Sequence, residues 1–186
     1  MIKNKNFGIL KGEEWLGEKF VQCRFEGLME MCVFDGCEFV ECNFSEAKLQ
    51  NVGLLECKLA ESKLAYINFA ETLIKSCEFI KAIMPGCVFE KFESESKTQR
   101  KRLNLKGCRF DQTDLKKTLF IKANLTEVSF KGANLERVGF ENCNLSGADF
   151  REALLGGINL VNTTVDGAKI DVAGCIALAQ NQGFSL

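Results

Sequence analysis

One large apolar side chain returns at every fifth position along most of this chain, with small or polar residues between. From Phe34 the row runs Phe39, Phe44, Leu49, Leu54, Leu59, Leu64, Phe69, Ile74, Phe79, Met84, Phe89. It resumes at Leu105 and continues through Phe110, Leu115, Phe120, Leu125, Phe130, Leu135, Phe140, Leu145, Phe150, Leu155, Leu160, Val165, Ile170. A second row, two positions earlier, holds small or β-branched residues such as Cys37, Cys42, Ala47, Val52, Cys57, Ser62, Cys108, Thr113, Thr118 and Ala123. A period of five fits neither the 3.6 of a helix nor the 2 of an ordinary strand. Sustained self-similarity of this kind predicts a solenoid.

A five-residue unit that brings its large side chain back to one axis must turn a corner each time. Four corners close a square, so residues 20 apart stack at the ~4.8 Å spacing of neighbouring strands. At that step Phe110, Phe130, Phe150 and Ile170 share a face, and Phe120, Phe140 and Leu160 lie opposite. Leu105, Leu125, Leu145 and Val165 make a third face, and Leu115, Leu135 and Leu155 a fourth. Phe and Leu thus segregate by face, which a five-residue beat alone does not require.

Nine of the ten cysteines, all but Cys175, fall in the small-residue row. Buried Cys behaves as a small hydrophobe. Cys37, Cys57 and Cys77 form a ladder whose Cβ spacing, near 4.8 Å, exceeds the ~3.5–4.5 Å of a disulfide, so free thiols are expected. Gly36, Gly86, Gly107, Gly132, Gly147, Gly157 and Gly167 recur two places after the large residue, where a tight corner needs positive φ. Asn or Asp precedes it at Asn124, Asn134, Asn144 and Asp149, where the side chain can brace a turn.

Units such as Ala133-Asn134-Leu135-Glu136-Arg137 and Ala148-Asp149-Phe150-Arg151-Glu152 resemble the A-(D/N)-(L/F)-x-x consensus of the pentapeptide-repeat family. The resemblance covers roughly residues 18–171. It implies an all-β solenoid, a right-handed quadrilateral parallel β-helix. The Phe-rich centres, the length, a mid-coil interruption and a terminal helix look like the quinolone-resistance (Qnr-type) subgroup. That likeness implies a non-enzymatic, dimeric, acidic rod that resembles B-form DNA, engages a type II topoisomerase (DNA gyrase or topoisomerase IV) and protects it from quinolones.

Breaks in the beat divide the chain. Residues 1–17 are expected to form an N-terminal cap or degenerate first coil, in which Leu10 and Trp15 keep the beat up to Phe20 and Phe25. Residues 18–92 form the first part of the β-helix, with one irregular corner between Phe25 and Phe34 centred on Met29. A polar, basic stretch over 93–104 is read as an ejected loop, and the β-helix resumes over 105–171. Over 172–186 a capping helix and tail are expected, with Asp171 as N-cap, helical spacing in Val172, Ile176 and Ala179, and Gly183 as the stop. Leu178, Phe184 and Leu186 are then candidate contacts to a second copy through this helix.

The chain of 186 residues carries a net charge of −1, with the signs segregated. Residues 30–96 sum to −6, and residues 97–122, with 9 basic and 2 acidic groups, to +7. No stretch is apolar enough for a membrane span, and Met1-Ile2-Lys3-Asn4-Lys5 lacks the apolar core of a signal peptide. A cytoplasmic protein with reduced thiols is expected. Histidine is absent, which removes Ser-His-Asp and Cys-His nucleophiles and the commonest metal ligand. Glycine-rich phosphate loops are missing, and the cysteines lack zinc spacing. Neither catalytic residues, a cofactor, a metal nor a small-molecule substrate is expected.

Three function classes remain. A macromolecular mimic would present acids at regular intervals, the candidates being Glu41, Glu46, Glu56, Glu61 and Glu71, although the alternation Glu38, Lys58, Glu78 argues against a uniform stripe. A protein-binding scaffold with no DNA resemblance could use the basic stretch at Arg100, Lys101 and Arg102, or the apolar Val40, Leu55, Tyr66 and Ile80. Direct nucleic-acid binding would draw on Lys97, Arg100, Lys101, Arg102, Lys106, Arg109, Lys116, Lys117 and Lys122. Its weakness is that Phe110 and Phe120 should point inward, leaving no bases to stack on aromatic rings.

Overall fold

The computed structural model describes residues 1–91 and 103–185. Every paired strand is parallel to its neighbour, and pairing always joins one coil to the next. The step is 20 residues at Glu38↔Lys58, Lys58↔Glu78, Arg109↔Ser129 and Ser129↔Asp149. It shortens to 19 at Phe20↔Phe39 and 18 at Ile2↔Phe20. Between Glu78 and Arg109 it is 31, so residues 79–109 hold one coil plus eleven further residues. The stretch read as a loop over 93–104 lies outside the described residues except for Leu103–Asn104, a strand paired with Ala123–Asn124.

Four columns of large side chains fill the bore. The first contains Phe20, Phe39, Leu59, Phe79, Phe110, Phe130 and Phe150, and the second Phe25, Phe44, Leu64, Met84, Leu115, Leu135 and Leu155. The third contains Met29, Phe69, Phe89, Phe120 and Phe140, and the fourth Phe34, Leu54, Ile74, Leu105, Leu125 and Leu145. Rings in one column lie flat on each other, as Phe20 on Phe39 (4.9 Å, 6°) and Phe110 on Phe130 (5.4 Å, 12°). Rings in opposing columns meet edge-on, as Phe110 with Phe120 (6.0 Å, 82°). Both arrangements suit the ring quadrupole. Phe79 stacks on Phe110 at 5.0 Å, so the core is continuous across the eleven-residue excess.

At the start, the coil reaches down to Ile2 and uses Phe7 as a centre, stacked on Phe25 at 4.8 Å. Phe7 falls off the five-residue beat, because it stands only three positions before Leu10. Met29 does substitute as a centre: it is buried and stands between Leu10 and Leu49. The missing residue is absorbed by running one strand, Arg24–Glu30, straight through the corner, with a register shift between Arg24 and Glu26.

Corners require positive φ, and glycine supplies only some of them. Gly36, Gly86, Gly107, Gly132, Gly147, Gly157 and Gly167 all have φ between 61° and 82°. Equivalent corners at Glu41, Glu61, Tyr66, Lys81, Lys117 and Arg137 adopt φ of 52–61° without glycine. That conformation costs an L-residue about 1–2 kcal/mol, and the ladder of the neighbouring rungs holds it in place.

Two kinds of corner follow from the small-residue row. In one, the residue three past the centre donates directly to the centre's carbonyl, as Ala82 N–H does to Phe79 O (3.0 Å). In the other, a hydroxyl from the next rung bridges the two groups. Ser62 Oγ accepts from Cys42 N–H (3.1 Å) and donates to Phe39 O (3.2 Å). Thr118 serves Cys87 and Met84 in the same way, and Thr163 serves Cys143 and Phe140. Thiols do part of this work: Cys57 Sγ donates to Phe34 O (3.3 Å) and Cys77 Sγ to Leu54 O (3.2 Å). The row therefore selects donors as well as small volume. All ten cysteines are free, nine of them buried and Cys175 exposed.

The C-terminal helix α1 (Val172–Asn181) is capped by Asp171, whose carboxylate accepts from Gly174 N–H at 2.8 Å. Its inner face is not the one the spacing suggested. Val172 is 76% exposed and Ile176 38%, whereas Gly174 is buried and Ala177 and Leu178 pack on the core. Close approach decides this, since a Cβ on Gly174 would meet Ile170 Cγ1 at 2.6 Å.

Candidate interaction surfaces

The five candidate acids are all exposed, but the coil distributes them over its four corners. Glu41 and Glu61 stack on one corner, one rung apart, and each is engaged: Gln22 Nε2 donates to Glu41 (2.8 Å), and Lys81 approaches Glu61 (3.8 Å). Glu46, Glu56 and Glu71 occupy the other three corners, because they follow Phe44, Leu54 and Phe69. No continuous acidic stripe forms from them.

Rung-to-rung pairing also neutralises most of the basic belt within the described residues. Lys106 pairs with Glu127 (3.2 Å), Lys116 with Glu136 (2.6 Å), and Arg109 with Asp111 (2.5 Å) and Glu78 (4.0 Å). Glu38, Lys58 and Glu78 stack in register, and the column extends to Lys19, which bonds Glu38 at 2.8 Å. Lys19 holds the Glu38 carboxyl below the ordinary value, as Lys116 does for Glu136 and Arg151 for Asp149. Such exposed pairs set register more than stability. Lys117 and Arg137 stand on adjacent rungs of one corner beside Gly156 and Gly157. Arg100, Lys101, Arg102 and Lys97 lie outside the described residues.

The C-terminal end is covered on two sides only. Lower in the coil, a corner N–H donates to a carbonyl one rung up, as Gly132 does to Arg151 (3.0 Å) and Arg137 to Gly156 (2.8 Å). In the last coil the helix supplies substitutes. Glu152 N–H donates to the Asp171 carboxylate (2.6 Å) and Gly157 N–H to Asn181 Oδ1 (2.8 Å), while Asn181 Nδ2 donates to Leu155 O (3.0 Å). The remaining two sides keep exposed apolar centres, Leu160 at 37% and Val165 at 42%, above a hollow of about 150 Å³. Leu178 lines that hollow within its own chain, so it serves the cap. Phe184 is 69% exposed, and Leu186 lies outside the described residues.

Among the apolar candidates only Tyr66 is exposed; Val40, Leu55 and Ile80 are half-buried. Exposed as well are Leu16 (72%) and Leu73 (64%), which the sequence reading did not single out. Their signal was the occupancy of one outward face, legible only once the coil length of each rung is known. Among the described residues no group of three or more His, Cys, Asp or Glu is placed to hold a metal ion, and no helix is long and apolar enough to cross a membrane.

Residues 96–170 match the family model described as Pentapeptide repeat region. No curated protein matches the sequence. Among solved structures, the chain is similar to trypsin-treated QnrB1, a plasmid-mediated fluoroquinolone resistance protein, at 20% identity and a TM-score of 0.72, covering 100% of this chain and 97% of that one. Full-length QnrB1 matches at 21% identity and a TM-score of 0.57, covering 98% of this chain and 100% of that one. At these identities the likeness establishes the fold.

Proposed function

We propose that this pentapeptide-repeat β-helix is a non-catalytic rod that binds a type II DNA topoisomerase and protects it from quinolones. The observation that carries the reading is the end-to-end correspondence with QnrB1, since 100% of this chain and 97% of that one align in a single superposition. A rigid rod of stacked rungs offers shape and spaced side chains as its means of recognition. The distribution of acids modifies the mimicry the family resemblance implied: recognition rests on rod shape and selected corners such as Glu41 and Glu61, without a continuous negative stripe. A homodimer formed through the half-open C-terminal end is part of the proposal. Val172, Ile176 and Phe184, with Leu160 and Val165, are its exposed apolar contacts.

One observation favours a second reading, a protein-binding scaffold with an unrelated partner. Charges along the rod are largely compensated from rung to rung. The test is a gyrase and topoisomerase IV supercoiling and relaxation assay with a fluoroquinolone present. Rescue at low dose supports the topoisomerase reading, and no effect on either enzyme at any dose removes it in favour of the scaffold. Light scattering of Phe184→Asp beside the parent tests the dimer; a monomer in both ends that part.

A further inference from the structure

One outward face changes character halfway along the rod. It is built on the strands Glu14–Leu16, Val33–Asp35, Val52–Leu55 and Thr72–Lys75, which pair in register as a four-stranded sheet. Its two outward columns read Glu14, Val33, Gly53, Leu73 and Leu16, Asp35, Leu55, Lys75. In the second half of the same face the first column becomes Asn104, Asn124, Asn144, Thr164. There each Asn braces its turn: Asn104, Asn124 and Asn144 accept from the N–H of Lys106, Thr126 and Ser146. In the first half those braces are replaced by Val, Gly and Leu, and the strands lengthen to three or four residues.

The result is a flat apolar strip. Leu16 and Leu73 stand out at either end, with Val33 and Leu55 half-buried between them. Gly53 is its low point, where an added Cβ would sit 3.5 Å from Val33. Four rungs span about 14 Å. Around the strip stand Glu14, Asp35 and the corner residue Glu56, none of which forms an ion pair with another described residue, whereas Glu38, Glu61, Glu78, Glu127 and Glu136 do. Lys75 is the only cation on these rungs of the face.

From this juxtaposition we infer that the face is a docking site for a basic amphipathic helix of a partner protein. Val33–Asp35 and Val52–Leu55 pair on both sides, and only the two outer strands, Glu14–Leu16 and Thr72–Lys75, keep an unpaired side, so an added strand would reach neither inner rung. Recognition must come from side chains lying on the sheet, and a helix of about ten residues matches the length of the strip. Apolar residues at i, i+3, i+4 and i+7 would rest on Leu16, Val33, Leu55 and Leu73. Lys or Arg on the flanks would meet the unpaired carboxylates. A second copy fits less well, because four rungs by one face width falls far short of the roughly 800 Å² per partner of a stable interface.

The test uses the full chain and three 14-residue helical peptides: a Leu/Lys amphipath, a scrambled peptide of the same composition, and a Leu/Glu amphipath. Calorimetry should show the Leu/Lys peptide binding at least tenfold more tightly than the scrambled one, and the Leu/Glu peptide not binding. Leu73→Lys should cut that affinity at least tenfold, and Asp35→Asn with Glu56→Gln should cut it severalfold and flatten its salt dependence. Leu154→Lys, on another face, should leave it unchanged. Equal binding of the scrambled peptide, or indifference to Leu73→Lys, overturns the inference as mere charge attraction. Conversion of a dimer to a monomer by Leu73→Lys overturns it in favour of self-association.

Discussion

Replacing Ser62 with Ala removes one oxygen and leaves two buried backbone groups without partners. Ser62 is fully buried, accepts from Cys42 N–H and donates to Phe39 O. Each unsatisfied group costs about 1–3 kcal/mol, so the pair places the expected loss at about 2–6 kcal/mol. The methyl that remains is the row's ordinary occupant, as Ala82 shows one rung above, so no large cavity adds to the cost. Ser62→Thr keeps the oxygen, as Thr118 and Thr163 do at equivalent corners, and should stay within about 1 kcal/mol of the parent. The assay is urea unfolding combined with hydrogen exchange at the Cys42 amide, which should lose protection in Ser62→Ala and keep it in Ser62→Thr. A Ser62→Ala protein within about 0.5 kcal/mol of the parent refutes the reasoning. It would mean the corner closes on itself, with Cys42 N–H reaching Phe39 O as Ala82 N–H reaches Phe79 O.

Thr72 supplies the contrast: its buried Oγ1 has no partner, so Thr72→Val should raise stability by about 1 kcal/mol, and a loss in urea unfolding would contradict this. Lys81→Gly should stabilise by about 1 kcal/mol, measured as a rise in urea midpoint, because φ of 57° at that corner suits glycine. Burial holds the thiols of Cys42, Cys87 and Cys108 up at about 11, 12 and 11, so a thiol reagent at pH 8 should modify Cys175 alone in the folded protein. All ten should react in guanidinium, and several fast equivalents without denaturant would refute the buried row. The N–H groups of Glu152 and Gly174 hold the Asp171 carboxyl below its ordinary value. A depressed folded value means its support of the cap is complete above about pH 4, the unfolded value, and is lost as pH falls through the folded one. Hydrogen exchange should show α1 opening in acid before the coils do, and uniform protection at pH 2 would refute it.

The solenoid was legible because a five-residue beat can be satisfied by few geometries. Large side chains need a common bore, and the bore dictates a corner per unit, so Phe110 over Phe130 and Cys37 over Cys57 follow from spacing alone. The helix cap at Asp171 was also legible, since capping is a contact among near neighbours. Phe7 was not, because its three-residue step to Leu10 breaks the beat and only the rung above shows where it stacks. The donor role of Cys, Ser and Thr was hidden for the same reason: Ser62 reaches Phe39 and Cys42, 23 and 20 residues away.

Surface properties divided in a similar way. Sequence sums made residues 97–122 a basic belt, yet Lys106, Arg109 and Lys116 meet carboxylates on neighbouring rungs or beside them. Charge along a chain is one-dimensional, while screening by a neighbour depends on which residues the coil stacks. The face of α1 that packs was settled by clearance at Gly174, not by hydrophobic spacing. What the chain determined by itself was the coil, because repetition leaves the backbone one way to bury every fifth side chain. Which carboxylates stand unpaired, which leucines form a strip and which end of the rod stays open were decided only by stacking, since each depends on partners a full turn away.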